Sequence, residues 1–141
     1  MKRLVLFFVM IFNVNTAVTM DCYSYNKRED SVYYACKKIE EADTETFQII
    51  GFFSVYAKDK KQAYYKGEIL AGADSESIEL IDRFGIYVKD KEHVYYKGKL
   101  LEGADPETFE VMKNSSYARD KKAVYYNGEE VEIIDKWILR V

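Results

Sequence analysis

The sequence predicts a mainly β fold of tandem repeats of about 31 residues. Each repeat is a set of short antiparallel strands with one helical turn, and the units form a twisted sheet or a solenoid-like array. Three observations predict this. Tyr-Tyr pairs recur at Tyr33-Tyr34, Tyr64-Tyr65, Tyr95-Tyr96 and Tyr125-Tyr126. A further tyrosine stands eight residues before each pair, at Tyr25, Tyr56, Tyr87 and Tyr117. An Ala-Asp pair follows the first three, at Ala42-Asp43, Ala73-Asp74 and Ala104-Asp105. These slots take 12 of the 13 tyrosines, so the aromatic content belongs to the repeat rather than to a scattered core.

The N-terminus stands apart from the repeats. Lys2 and Arg3 precede an apolar run from Leu4 to Phe12, which Asn13, Asn15 and Thr16 end. Charge, short apolar core and polar exit predict a secretory signal peptide over residues 1–20, since the run is too short to span a bilayer. Residues 21–141 then form a single β-rich domain of four repeats, about 23–50, 51–81, 82–112 and 113–141. The expected location is the periplasm, the cell surface or the medium. Thr19-Met20-Asp21 before Cys22 do not make a lipoprotein box, so no lipid anchor is expected. In an oxidising compartment Cys22 and Cys36 predict one disulfide.

Within a repeat, aromatic and β-branched runs bounded by Gly, Asp and Lys read as short strands. A first turn follows the Asp slot, as in Asp90-Lys91-Glu92-His93. A second follows the tyrosine pair. Asn127-Gly128 between Val124-Tyr125-Tyr126 and Glu129-Glu130-Val131 is a two-residue hairpin signal. Lys66-Gly67 and Lys97-Gly98 fill the same slots, whereas the first repeat has Ala35-Cys36. Asp105-Pro106-Glu107-Thr108 resembles a capped helix start, with Phe47, Ile78 and Phe109 plugging inward after the three Ala-Asp pairs. Residues 51–55, 82–86 and 113–116 then link the units.

A two-residue turn at Lys66-Gly67 sets Tyr65 opposite Glu68, Tyr64 opposite Ile69 and Ala63 opposite Leu70. Opposed residues share a face. The Ala63/Leu70 slots recur as Val32/Ile39, Val94/Leu101 and Val124/Val131, so that face is core. Alternation puts the second tyrosine of each pair on it and turns Tyr33, Tyr64, Tyr95 and Tyr125 outward.

Catalytic chemistry has little to work with. His93 is the only histidine, and its slot holds Ser31, Gln62 and Ala123 elsewhere. Two cysteines and one histidine make no zinc set, and no Gly-rich phosphate loop is present. Asp59, Asp90 and Asp120 supply one carboxylate per turn beside a lysine, which suits a turn brace better than a Ca²⁺ site. No cofactor, metal or enzymatic activity is expected. A net charge of −3 with interleaved signs offers no nucleic-acid footprint. One slot is basic in all four repeats, as Lys27, Lys58, Lys89 and Arg119. With a three-residue turn after the Asp slot, Lys58, Lys89 and Arg119 alternate with the outward tyrosines, a ladder able to grip a protein or a surface glycan or to serve only as surface cation–π pairs.

The motif Asp-Lys-x-x-Val-Tyr-Tyr-x-Gly resembles the DKNYY repeat family of bacterial proteins. It stands at Asp59-Lys60 to Gly67 (with Ala63 in the Val slot), Asp90-Lys91 to Gly98 and Asp120-Lys121 to Gly128, and residues 103 to 109 also resemble that family. The first repeat departs from it at Arg28 and Cys36. The resemblance implies an exported protein of the bacterial envelope and supplies no active site. The expected function is a non-enzymatic interaction module of the envelope. An alternative is a periplasmic immunity or inhibitor protein, whose acidic charge steers it onto a basic toxin. A direct consequence of export concerns Cys22 and Cys36. Thiol titration of the folded, exported protein should find no free thiol before reduction, and two reactive thiols would refute the bond.

Overall fold

The structure is a computed structural model that describes residues 24–53 and 55–132. The signal-peptide segment, Cys22 and the expected closing segment after Glu132 lie outside the described residues.

Four antiparallel sheets follow one another along the chain. The first has three strands, β1 (Tyr25–Arg28), β2 (Ser31–Tyr34) and β3 (Lys37–Lys38). The second has β4 (Gln48–Ile50), β5 (Tyr56–Lys58), β6 (Ala63–Tyr65) and β7 (Glu68–Ile69). The third has β8 (Glu79–Leu80), β9 (Tyr87–Lys89), β10 (Val94–Tyr96) and β11 (Lys99–Leu100). The fourth has β12 (Glu110–Val111), β13 (Tyr117–Arg119), β14 (Val124–Tyr126) and β15 (Glu129–Val131). In each sheet the strands pair in sequence order. Strands β4, β8 and β12 close the preceding repeat as the sequence is phased on tyrosine, yet each pairs into the following sheet. Residues 51–55, 82–86 and 113–116 are therefore hairpin loops within a sheet, not links between units.

The expected hairpin register is the observed one: Tyr64 opposes Ile69, Tyr65 opposes Glu68, and the Leu70 N–H bonds the Ala63 carbonyl at 2.8 Å. Both turn residues have positive φ, 50° at Lys66 and 83° at Gly67, the two-residue turn whose twist matches the strands. Ala35 and Cys36 adopt the same turn at 51° and 63°.

The outward assignment of the first tyrosines does not hold. Tyr64, Tyr95 and Tyr125 are 0%, 1% and 2% exposed. The reason is that the sheets stack face to face, so an inner sheet has no solvent face. Tyr25, Val32, Tyr34 and Ile39 of the first sheet pack on Ala57 and Tyr64 of the second. Tyr56, Ala63, Leu70 and Ile78 pack on Val88 and Tyr95 of the third, and Tyr87, Val94, Leu101 and Phe109 on Ala118 and Tyr125 of the fourth. Only Tyr33, on the uncovered face of the first sheet, is left half-buried. The arrangement is solenoid-like, with four short sheets and no closed barrel.

The expected helical turn is also absent. Residues 44–46 form a hydrogen-bonded turn, as do their counterparts, and the described residues contain no helix. The Ile78 N–H reaches the Asp74 carbonyl at 3.0 Å, and β8 begins at the next residue. One such bond cannot nucleate a helix that must at once become a strand.

Two sets of contacts join consecutive sheets. In the first, the Asp59 carboxylate, 4% exposed, accepts the Lys61 and Gln62 N–H groups at 2.7 and 2.9 Å, bracing its own turn. Its other oxygen accepts the Tyr64 hydroxyl at 2.7 Å and the Asp43 N–H of the preceding unit at 2.8 Å. Lys60 completes the joint, its N–H donating to Thr46 Oγ1 and its ammonium pairing with Asp43 at 2.7 Å. Asp90-Lys91 grips Asp74 and Ser77 in the same way, and Asp120-Lys121 grips Asp105 and Thr108. In the second set, the Gly67 N–H donates to the Tyr25 hydroxyl at 2.9 Å, Gly98 to Tyr56 at 2.8 Å and Gly128 to Tyr87 at 3.2 Å. The second tyrosine of each pair lies under that glycine: a Cβ at Gly98 would fall 2.2 Å from the Tyr65 ring. Both sets reach back to a preceding unit. Among the described residues no unit precedes the first repeat, which has Arg28 in its Asp slot and Cys36 in its Gly slot.

The glycine contact gives a paired test. Gly98 and Gly103 both have φ of 77°, but a Cβ at Gly103 meets nothing within 4 Å. Gly103→Ala should cost about 1 kcal/mol of backbone strain. Gly98→Ala adds overpacking and should cost roughly 2–4 kcal/mol, read as a clearly lower Tm. Equal melting of the two variants would refute the ring contact. The carboxylates give a pH test. The Lys60 ammonium, then Thr46, hold Asp43 at about 2 against an unperturbed 3.8. Burial pushes Asp59 up, but its Asp43, Tyr64, Lys61 and Gln62 donors outweigh burial and leave it lowered. Folded values below unfolded ones mean that the stabilisation is full above the unperturbed value and is lost as pH falls through it. Tm should be level near neutrality and fall between about pH 4 and pH 2, less steeply in Asp43→Asn.

Candidate functional site

The Lys/Tyr ladder does not form. Only two residues, Lys60 and Lys61, follow Asp59 before its partner Gln62, whose carbonyl accepts the Asp59 N–H at 2.9 Å, so Lys58 opposes Ala63 while Tyr64 opposes Ala57. The basic side chains therefore lie on the other face from the first tyrosines. There they are engaged locally. Lys58 donates to the Glu76 carbonyl at 3.5 Å, Lys89 to the Pro106 carbonyl at 3.0 Å, and Arg119 pairs with Glu110. Cation–π contacts exist elsewhere, between turn lysines and the second tyrosines: Lys97 lies 5.0 Å from the Tyr96 ring centroid and Lys66 5.4 Å from that of Tyr65.

The remaining polar candidates are parts of the stack. Burial and the Asp120 carboxylate raise the Tyr125 hydroxyl, and burial with the nearby Asp90 charge pushes Tyr95 up to about 12. Both stay neutral donors at physiological pH. His93 sits in the turn that Asp90 braces, its N–H bonded to Asp90 Oδ1 at 2.7 Å and its Nδ1 3.6 Å from the same oxygen. Among the described residues no three His, Cys, Asp or Glu side chains converge where a metal ion would fit, and no helix is long and apolar enough to cross a membrane.

What the stack presents instead is one edge. In each four-stranded sheet, the loop between the first two strands and the turn between the last two lie at the same end. The Lys66 N–H bonds the Val55 carbonyl at 2.7 Å, Lys97 bonds Ile86 at 2.9 Å and Asn127 bonds Ser116 at 3.2 Å. Loops 51–55, 82–86 and 113–116 therefore line up along the stack. The middle one is shaped by Asp82, whose Oδ1 accepts the Phe84 N–H at 2.7 Å and whose Oδ2 accepts the Ile86 and Tyr87 N–H groups. That leaves Phe84 half-exposed at the tip, with Arg83 5.4 Å from its ring centroid. Between this loop and the next lies a groove of about 740 Å³. Ile81, Ile86, Val111 and Met112 give it an apolar lining, and Arg83 and Lys113 stand on its rim.

This edge makes no use of the predicted binding residues Tyr33, Tyr64, Tyr95, Tyr125, Lys58, Lys89 and Arg119. It draws mainly on loop residues outside the repeated pattern, with Tyr87, Tyr96 and Asn127 of the repeat adding to the groove lining. A signal was present: Phe52, Phe53 and Phe84 are aromatic residues in segments whose glycine and polar content marks them as loops, where burial does not explain an aromatic side chain.

The DKNYY family model matches residues 7–99 and 68–129 in two overlapping stretches, and the chain belongs to that family. No curated protein and no solved structure matches it.

Proposed function

We propose that this DKNYY-family chain is an exported, non-enzymatic interaction module of the bacterial envelope that holds a protein partner in the groove between loops 82–86 and 113–116. The observation that carries the reading is the groove itself, an apolar floor beside Arg83 and Lys113. Asp82, the carboxylate closest in sequence to Arg83, is occupied by three N–H groups. A segment with apolar side chains and an acidic residue complements it. The rest of the molecule suits a scaffold: its repeated Asp carboxylates and Tyr hydroxyls are spent in joints between sheets, and rigid repeats commonly present variable loops for binding. Export rests on Lys2, Arg3 and the run Leu4–Phe12, and the Cys22–Cys36 bond belongs to the same proposal.

Pull-down from envelope extracts tests the reading, with wild type and Met112→Glu compared and bound proteins identified by mass spectrometry. Met112 is half-buried in the groove, so the added charge should abolish recovery of the partner. Circular dichroism and Tm verify that the variant stays folded. Equal recovery by both folded proteins would rule out the groove.

A further inference from the structure

We propose that the tip of this edge, centred on Phe52 and Phe53, docks on an anionic phospholipid surface. Phe52 and Phe53 lie outside the groove, which shares Arg83, Phe84 and Lys113 with this surface. Phe52 is 90% exposed and Phe53 53% exposed, their rings edge to face at 5.7 Å. Phe84, also 53% exposed, continues the row, since the position of a Cβ on neighbouring Gly85 lies 3.8 Å from Phe53 Cβ. Three large aromatic side chains are thus presented at loop tips, in a molecule that buries seven of the 12 tyrosines of its repeat. Projecting tips suit a soft medium that closes around them more than a preformed protein pocket.

Charge points the same way. Lys66 and Lys97 open the turns bonded to Val55 and Ile86, and Arg83 and Lys113 lie in the loops themselves. Among the described residues none of these four cations forms an ion pair. The chain as a whole carries −3, so a basic edge is a local departure from its overall charge. Aromatic rings at the acyl boundary with cations at the phosphate level are the two terms by which a peripheral protein holds an anionic bilayer.

The test places a reporter at the tip. In the full chain, Phe52→Trp is combined with Trp137→Phe so that position 52 carries the single indole. The protein is mixed with phosphatidylglycerol/phosphatidylcholine vesicles containing brominated phosphatidylcholine, and with vesicles of phosphatidylcholine holding the same share of brominated lipid and no phosphatidylglycerol. The expected result is a blue shift and quenching with the anionic vesicles, lost at high salt and weak with phosphatidylcholine. Absence of quenching would overturn the proposal even where the run Leu4–Phe12 carries the chain to the vesicle, because the reporter sits at the tip. Equal quenching by neutral vesicles would overturn the anionic part. Arg83→Glu with Lys97→Glu should weaken anionic-vesicle binding by about tenfold or more, and unchanged affinity would overturn the role of the cations. Met112→Glu should leave the quenching intact, so failure of the groove reading and failure of this one are separately visible.

Discussion

An aspartate at the start of the turn in the second, third and fourth sheets, buried at Asp59 and Asp90 and half-buried at Asp120, holds the stack together. Asp59 illustrates the constraint. Its charge is taken out of water at a cost of several kcal/mol unless paired. Four donors meet it: two N–H groups of its own turn, the Tyr64 hydroxyl beneath it and the Asp43 N–H of the unit before. The first two set the turn that orients β5 and β6. The third places the buried tyrosine, and the fourth sets where the next sheet lands. One side chain thus couples local geometry to the stacking direction. Its repetition at Asp90 and Asp120 turns a local rule into an array.

The tyrosines complement this joint at the other end of the strands. Tyr25 and Tyr34 pair across the first sheet with ring centroids 4.8 Å apart, and Tyr56–Tyr65, Tyr87–Tyr96 and Tyr117–Tyr126 repeat the contact. The first member of each of the earlier pairs bonds the next glycine N–H, and the second carries that turn on its ring. Each unit is therefore gripped at two ends, by carboxylate and by phenol. The interaction is directional: Asp and Gly reach backward, so a unit is competent only with a predecessor.

This division of labour frames the functional reading. Residues that recur in every repeat are engaged between sheets and have little left to offer a ligand. In loops 51–55, 82–86 and 113–116 the Val55 and Ile86 carbonyls accept the Tyr25 and Tyr56 hydroxyls of the preceding unit, while the other residues differ from one repeat to the next and are brought into line by the stacking. An edge assembled from variable loops on a fixed frame suits recognition.

The repeat and the hairpin turn after each tyrosine pair, with its register, were legible in the sequence, because a two-residue turn leaves one pairing possible and that pairing placed Ala63, Leu70, Val94 and Leu101 on a common apolar face. The Asp slot was legible as a turn brace for the same local reason. Three things were not. Tyr64, Tyr95 and Tyr125 proved buried because alternation assumes one wet face, and face-to-face stacking removes it. The basic slot fell on the opposite face because two residues, Lys60 and Lys61, rather than three separate Asp59 from its partner Gln62, which flips every side chain before it. The helix start at Asp74 closes one bond and stops, because the next sheet claims the chain at Glu79. By itself, then, the sequence determined what depends on neighbours along the chain: period, turn type and strand pairing. Which faces are covered, and which loops share an edge, depends on residues 16 and 42 apart meeting through Asp59–Asp43 and Gly67–Tyr25, and through their repeats, and only the tertiary structure decides that.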